Sequence, residues 1–188
     1  MATTTAWLTP ASVVDAGGTG ASWTSPSNAA TSNNSRATAS LGTSLPLENS
    51  NPLVATDFGF AIPTGDTITL VEVEIEGLAV ASSVSIAALR RVHAGLSVTP
   101  NPSTFVTGPL TTSDATYVSS WTIPIGGGPS TTPTDANATD FGVQVVFNNA
   151  NASNRSVSVD AIRMRITYDP PPSTQAPRSM NQYRQRRT

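Results

Sequence analysis

The chain has 188 residues, no cysteine and no lysine, and its ten arginines stand against twelve acidic residues. The lack of cysteine excludes disulfides and thiolate sites, and the lack of lysine excludes a P-loop phosphate site and Schiff-base chemistry. This length suits one domain with an extension, and it suffices to bury a hydrophobic core.

The N-terminus is rich in threonine and lacks the basic and apolar regions of a secretory leader. No apolar run approaches the roughly 20 residues that a membrane-spanning helix needs. We therefore expect a protein that is made in the cytoplasm and has no membrane partner.

Charge is distributed unevenly along the chain. Residues 1–177 carry six arginines and twelve acidic residues, a net charge of −6, whereas the last eleven residues carry four arginines. Charged residues make up only 12% of the chain, and serine and threonine are abundant. A surface of this kind, low in charge and rich in hydroxyl groups, favours repeated contacts with neighbouring proteins.

Residues 1–35 are predicted to form an extended N-terminal segment that is partly packed but lies outside the core. Threonine, serine, asparagine and glycine dominate it. Its apolar anchors are Trp7, Leu8, Val13, Val14 and Trp23.

Residues 36–169 are predicted to form the folded domain, because apolar and polar residues alternate there with the period of half-buried strands. The alternation is strongest at Thr67–Val80, Asp140–Phe147 and Ser156–Asp169. Ala87–His93 has the composition of a helical turn, but its flanks indicate a strand. Weaker strands are predicted at Ala37–Leu41, Leu53–Phe60, Ser83–Val98 and Tyr117–Ile123.

The alternation also predicts which side chains enter the core. In the last strong strand the apolar phase changes at Asp160-Ala161, as it does where a β-bulge adds one residue. The predicted core comprises Phe58, Phe60, Val71, Val73, Ile75, Phe141, Val143, Val145, Ile162, Met164 and Ile166.

Short strands separated by loops rich in glycine, proline and asparagine predict an all-β fold, an antiparallel β-sandwich of the jelly-roll or immunoglobulin-like kind. Residues 170–188 follow it as a C-terminal arm. Three consecutive prolines open the arm and favour polyproline II. Fully extended, the arm reaches roughly 60 Å.

The sequence offers few residues suited to catalysis. The one histidine, His93, lacks neighbours at metal-ligand spacing, so we expect an ordinary strand or turn residue. Asp57-Phe58-Gly59 matches the metal-binding tripeptide of kinases, but a kinase also needs a lysine on the phosphates. We predict that the protein is not an enzyme and has no catalytic residues, metal ligands or cofactors.

Three glutamates, Glu72, Glu74 and Glu76, alternate with apolar residues and are predicted to lie on a solvated face. Arg163 and Arg165 alternate in the same way on the last strand. If the two strands are neighbours, these charges pair across them and fix the register, each pair contributing about 0.2–1 kcal/mol.

The arm is predicted to bind a partner. Four arginines and one tyrosine make a weak footprint for nucleic acid, and the acidic body opposes nucleic-acid binding. Arginine also pairs with carboxylates through two hydrogen bonds, so a protein partner is favoured. The predicted binding residues are Arg178, Tyr183, Arg184, Arg186 and Arg187.

Four parts of the sequence carry a family resemblance. Leu53 to Pro63 contains Asp-Phe-Gly-Phe-Ala-Ile-Pro, Val71 to Glu76 alternates valine or isoleucine with glutamate, and Val159 to Tyr168 begins Val-Asp-Ala-Ile. With Thr139 to Val145, they resemble a β-sandwich family of structural proteins in tailed bacteriophages, including cyanophages. The similarity covers roughly residues 20–169.

Trp23 stands where this family has an early tryptophan. Trp121 is followed by Thr122, where the family usually has Trp-Gly. The resemblance implies a virion component that packs against the major capsid protein or other virion proteins, as a homo-oligomer or in many copies.

The leading functional hypothesis is a capsid decoration or cement protein that bridges capsid subunits through its sandwich surface and its arm. A second hypothesis is a tail, collar or fibre-associated virion protein. A third is a carbohydrate-binding module that uses exposed aromatic residues such as Trp7, Tyr117 or Trp121.

Overall fold

The structure is a computed structural model that describes residues 1–44, 48–93, 96–98, 108–123 and 131–172. These residues contain eleven strands, a 3₁₀ helix at Pro26–Ala29 and a one-turn α-helix, α1, at Pro133–Ala136. The strands are β1 (Thr3–Thr4), β2 (Ser12–Asp15), β3 (Trp23–Thr24), β4 (Ala37–Leu41), β5 (Leu53–Thr56), β6 (Thr67–Ala79), β7 (Val84–His93), β8 (Leu96–Val98), β9 (Ala115–Thr122), β10 (Gly142–Asn149) and β11 (Arg155–Asp169).

The strands form two antiparallel sheets that pack face to face, which confirms the predicted β-sandwich. Sheet A has the order β3-β4-β11-β6-β9, with β1 added beside β11. Sheet B has the order β2-β5-β10-β7-β8. The hydrophobic core lies between the sheets, and all eleven residues predicted for it are buried there.

The longest strands, β6 and β11, lie side by side at the centre of sheet A. Their register shifts between Val159 and Ala161, so the predicted β-bulge is present. Asp160 sits at this shift with 1% of its surface exposed, and its carboxylate accepts hydrogen bonds from the backbone amides of Asn33 and Asn34. The bulge therefore directs the Asp160 carboxylate toward the loop that contains Asn33 and Asn34, where it satisfies two backbone amides.

The predicted strand Leu53–Phe60 is too long, because β5 ends at Thr56. Asp57 has a φ of 60° and Gly59 a φ of 67°. Two left-handed residues within three positions cannot continue an extended strand. Phe58 and Phe60 nevertheless reach the core and stack with ring centroids 6.0 Å apart.

The N-terminal segment contributes more than predicted, and the expectation that it lies outside the core is wrong. Its strands pair with β11, β5 and β4, so it extends both sheets. Val13 and Trp23 are buried, and the Trp23 indole donates to the carbonyl oxygen of Asn51 at 2.9 Å. Short strands of two to four residues lack the alternation by which longer strands are recognised.

Two further predictions concern strand β7 and the C-terminal arm. The stretch Ala87–His93 is strand throughout, with the register shift of β7 against β10 near Ala88. The arm's binding residues, Arg178, Tyr183, Arg184, Arg186 and Arg187, lie outside the described residues. Among the helices of the described part, none is long and apolar enough to cross a membrane.

Candidate assembly surfaces

The outer face of sheet A carries a charge ladder formed by Glu72, Glu74, Glu76, Arg163 and Arg165. The register of β6 and β11 sets Arg165 opposite Glu72 and Arg163 opposite Glu74. Arg165 donates to both oxygens of Glu72, from Nε at 2.6 Å and from Nη2 at 2.9 Å. Nη2 of Arg163 lies 2.7 Å from Oε1 of Glu74 and 3.5 Å from Oε2 of Glu76. Two carboxylates therefore share the guanidinium of Arg163.

Trp7 covers one end of the ladder. Residues 3–8 lie beside β11, where the amide of Leu8 donates to the carbonyl oxygen of Met164 at 2.8 Å. Trp7 precedes Leu8, whose side chain packs against the core, so the Trp7 side chain points to the outer face. Its ring centroid lies 4.5 Å from the guanidinium carbon of Arg165. Such a cation–π contact contributes about 0.5–1 kcal/mol at an exposed site.

The ladder is less solvated than predicted. The side chains of Glu72 and Glu74 are each 15% exposed, and that of Glu76 is 22% exposed. The paired arginines cover them. The hydrogen bonds from Arg165 to Glu72 raise the pKa of that guanidinium above its ordinary value, because they favour the charged form.

A further ion pair, Arg36 with Asp114, joins residues just before β4 and just before β9 on this side of sheet A. Together, the ladder and this ion pair comprise four carboxylates and three guanidinium groups, a net charge of −1 among these seven side chains. The surplus lies near Glu74 and Glu76, which share one arginine. Nearby, Val118 projects from β9 directly opposite Glu74 and is 39% exposed.

The outer face of sheet B combines aliphatic and polar side chains. It contains a hollow of about 450 Å³ whose walls combine Val14, Val54 and Val92 with the polar residues Thr56, Thr139, Asp140 and Gln144. Val14 is 47% exposed, so aliphatic surface meets solvent here. Arg90 lies directly opposite Gln144 in the pairing of β7 with β10. Among the described strand residues that point outward on this face, Arg90 carries the charge. The Nε atom of Arg90 is buried, and no described residue accepts a hydrogen bond from it.

His93, at the end of β7, lies between two carboxylates. Its Nε2 is 3.3 Å from Oδ1 of Asp135, and its Nδ1 is 3.2 Å from Oδ1 of Asp140. Asp135 is held by the capping box of α1, in which Thr132 and Asp135 exchange side-chain to backbone hydrogen bonds. Burial lowers the pKa of nearby Arg91, and the charge of Asp135 opposes that shift.

The surroundings of His93 were not expected from the sequence, because Asp135 and Asp140 lie more than 40 positions away. Across the ranges that the structure describes, no group of three or more histidine or acidic residues is arranged to hold a metal ion.

The carboxylate of Asp15, at the end of β2 in sheet B, connects the two sheets by a hydrogen bond from β3 of sheet A. It accepts hydrogen bonds from the amides of Trp23 at 2.8 Å and Gly17 at 2.7 Å, and from Nδ2 of Asn51 at 3.3 Å. Partial burial raises the pKa of Asp15, but these hydrogen bonds outweigh it and hold the pKa below its ordinary value of 3.8. Asp15 therefore has a structural role.

Of the three aromatic residues predicted for sugar binding, two are buried in the core. Trp121 is fully buried and Tyr117 is 9% exposed, so neither offers a ring on which a sugar could stack. The hydroxyl of Tyr117 accepts a hydrogen bond from the amide of Thr111 at 2.7 Å. Trp7 is half-buried against Arg165. The expectation that Trp121 and Tyr117 are exposed is wrong, because odd positions of β9 face the core.

Comparison with known proteins adds no relative. The chain matches no model of a known protein family, and no curated protein matches it. The surfaces above must therefore be interpreted from their own geometry.

Proposed function

We propose that this chain is a virion structural protein of a tailed bacteriophage, and that it decorates the capsid by bridging neighbouring major capsid subunits. The sequence resemblance supplies the class of particle. The described residues support a structural role, since their charged side chains are mostly engaged in ion pairs and hydrogen bonds within the fold.

The observation that carries the proposal is the path of β11. This strand runs through the centre of sheet A, where it is bonded to β6 along its length and to β4 or β1 at its other edge. It ends at Asp169 and leads directly into Pro170 and the arginine-rich arm. A binding segment attached to the most firmly held strand suits a tether, because one copy can then hold a neighbour by effective concentration.

Counting the chain in purified virions tests the proposal most directly. We expect mass spectrometry to find copies in the hundreds, in proportion to the major capsid protein. Six or twelve copies would instead support the alternative of a tail, collar or fibre-associated protein. Absence of the chain from purified virions would overturn both.

Removal of the arm tests the tether. A chain that ends at Asp169 keeps every described strand, so we expect unchanged circular dichroism and lost binding to capsids that lack the protein. A full-length variant with Arg178, Arg184, Arg186 and Arg187 changed to Gln separates charge from length. Binding of the truncated chain at wild-type affinity would show that the arm is not the tether.

A carbohydrate-binding role is the third alternative, and it now depends on Trp7 alone among the aromatic residues named for it. A glycan array with wild-type and Trp7→Ala proteins distinguishes it. Glycan binding that is lost in the variant would favour this role over capsid decoration.

A further inference from the structure

Most carboxylates of this protein are engaged within the fold, but a few are not. The engaged ones pair with arginine, flank His93 or accept backbone hydrogen bonds, and they are Asp15, Glu72, Glu74, Glu76, Asp114, Asp135, Asp140 and Asp160. The other acidic side chains form no ion pair or hydrogen bond with any described residue, and they are Glu48, Asp57, Asp66 and Asp169. Asp66 and Asp169 lie at the end of the sandwich from which the arm departs, since Asp66 precedes β6 and Asp169 ends β11.

A groove of about 330 Å³ opens at the same end, between the start of β6, the end of β9 and α1. Its walls combine the apolar side chains of Ile68, Ile123 and Pro133 with Asp66 and three threonines, Thr67, Thr131 and Thr132. Ile68 and Ile123 belong to the hydrophobic core, so the groove reaches the edge of the core. Its volume is at the lower limit of small-ligand pockets, about 300–1,000 Å³, and suits one large side chain.

The arm begins beside this groove. Asp169 is the direct partner of Thr67, a residue of the groove wall, and neighbouring strands lie about 4.8 Å apart. Residues 170–182 separate Asp169 from Tyr183, and fully extended they span roughly 43 Å. Even with three consecutive prolines, this length is sufficient for the arm to turn back to the groove.

The arm and the groove are complementary in charge. Residues 170–188 contain four arginines and no acidic residue, whereas Asp66 and Asp169 have no partner in the described fold. Arginine binds a carboxylate through two parallel hydrogen bonds, so the arm supplies the groups that these carboxylates lack. Tyr183 directly precedes Arg184, so a tyrosine ring in the groove brings a guanidinium group to the wall.

We propose that the groove is a docking site for the C-terminal arm of the same chain. Tyr183 enters the groove, and the arginines that follow it pair with Asp66 and Asp169. The arm of the same chain is favoured over that of a second copy, because its attachment to β11 gives it a high effective concentration at the groove.

Docking of this kind controls when the arm can bind a partner. If the arm is the tether to the capsid, capsid carboxylates must displace it from Asp66 and Asp169 before it can reach a neighbouring subunit. This consequence rests on the proposed function, whereas the docking itself is a property of the isolated chain.

A spin label on the arm tests the docking in the full-length protein without capsids. The chain has no cysteine, so Gln185→Cys provides one attachment site for a nitroxide label. In amide NMR spectra at low salt, we expect the signals of Thr67, Ile68 and Thr132 to lose more than half of their intensity. The intensity should return in about 1 M salt, where the Debye length falls to about 3 Å.

Charge removal identifies the groups that hold the arm. Asp66→Asn and Asp169→Asn, combined in the labelled chain, should restore the intensity at low salt. Glu48→Gln is the matched control, because Glu48 is also unpaired within the described fold but lies at the opposite end of the sandwich, beside Asn149 at the end of β10. It should leave the loss of intensity unchanged, and the spectra themselves verify that each variant is folded.

Three outcomes would overturn the proposal. The first is full intensity at the groove in the labelled chain, and the second is a loss that the aspartate substitutions do not change. The third comes from a mixture of isotope-labelled chain without the spin label and spin-labelled chain without the isotope. A loss of intensity in that mixture would show that the arm of a second copy occupies the groove. Because no capsid is present, each result is independent of the copy number in virions.

Discussion

Sheets A and B share one core but present different chemistry to the outside. Both inner faces are lined mainly by apolar side chains, and Met164 of sheet A and Phe147 of sheet B are both fully buried. The outer face of sheet A bears five ladder charges, whereas the strands of sheet B direct valine, threonine, glutamine and one arginine outward. Alternation fixes which side chains face in, and it leaves the outer positions free to differ between the sheets.

The largest expected effect tests whether the two inner faces are equivalent. Met164→Ala and Phe147→Ala each remove a fully buried side chain and should lower the free energy of unfolding by about 2–5 kcal/mol. Urea denaturation measures both. Val118→Ala and Val14→Ala, on the outer faces, are the controls and should change it by less than about 0.5 kcal/mol. A small effect for only one of the core variants would show that the sheets do not share one cooperative core.

The next effect concerns glycines where strands approach closely. A Cβ atom at Gly142 in sheet B would lie 1.9 Å from the carbonyl oxygen of Ala55, and one at Gly77 in sheet A would lie 2.5 Å from that of Ser158. We expect alanine to cost about 1–3 kcal/mol at each site, and more at Gly142. Gly108→Ala is the control, because a Cβ there meets nothing within 4 Å. Equal melting temperatures for Gly108→Ala and Gly142→Ala would contradict the close approach.

Asp15 should make the junction between the sheets sensitive to acid. Its folded pKa lies below the ordinary 3.8, so its stabilising effect is complete above that pH and is lost as the pH falls through the folded pKa. Asp15→Asn is expected to lower stability by about 1 kcal/mol at pH 7 and to flatten its decline in acid. Unfolding of both proteins between pH 7 and pH 2 measures this. Parallel pH profiles for wild type and variant would contradict the assignment.

The smallest effect compares the arginines of the outer faces. Arg165→Ala loses the paired hydrogen bonds to Glu72 and the contact with Trp7, and should cost about 1 kcal/mol, less in high salt. Arg90→Ala loses no ion pair within the described fold and should stay within about 0.5 kcal/mol of the wild type. Thermal unfolding at low and high salt measures both. A larger loss for Arg90→Ala would show that it supports the fold itself.

Long strands could be predicted from the sequence because their alternation repeats often enough to be distinguished from chance. β4 was predicted with its observed bounds, and β6 and β11 were predicted to within one residue. The position of the bulge followed from the change of phase at Asp160. The pairing of the ladder residues required the further hypothesis that these two strands are neighbours.

Contacts between distant segments could not be predicted. Trp7 on Arg165, Asp15 on Trp23 and Asp160 on Asn34 each join residues that no local pattern links. The left-handed backbone of Asp57 was also missed, since aspartate adopts that conformation only occasionally. The chemistry of the candidate surfaces was therefore partly visible in the sequence, and their arrangement was not.

The position of β11 has a mechanical consequence. If the C-terminal arm is attached to a neighbour, tension on it passes first into Asp169 and then along the axis of the strand. Twelve residue pairs with β6 and the pairs with β4 and β1 then bear the load together, in shear, because the pull is parallel to the strand and perpendicular to its hydrogen bonds. A strand at a sheet edge pulled sideways would lose its bonds one at a time. The arm is therefore attached to the strand that requires the largest force to be pulled out of the fold.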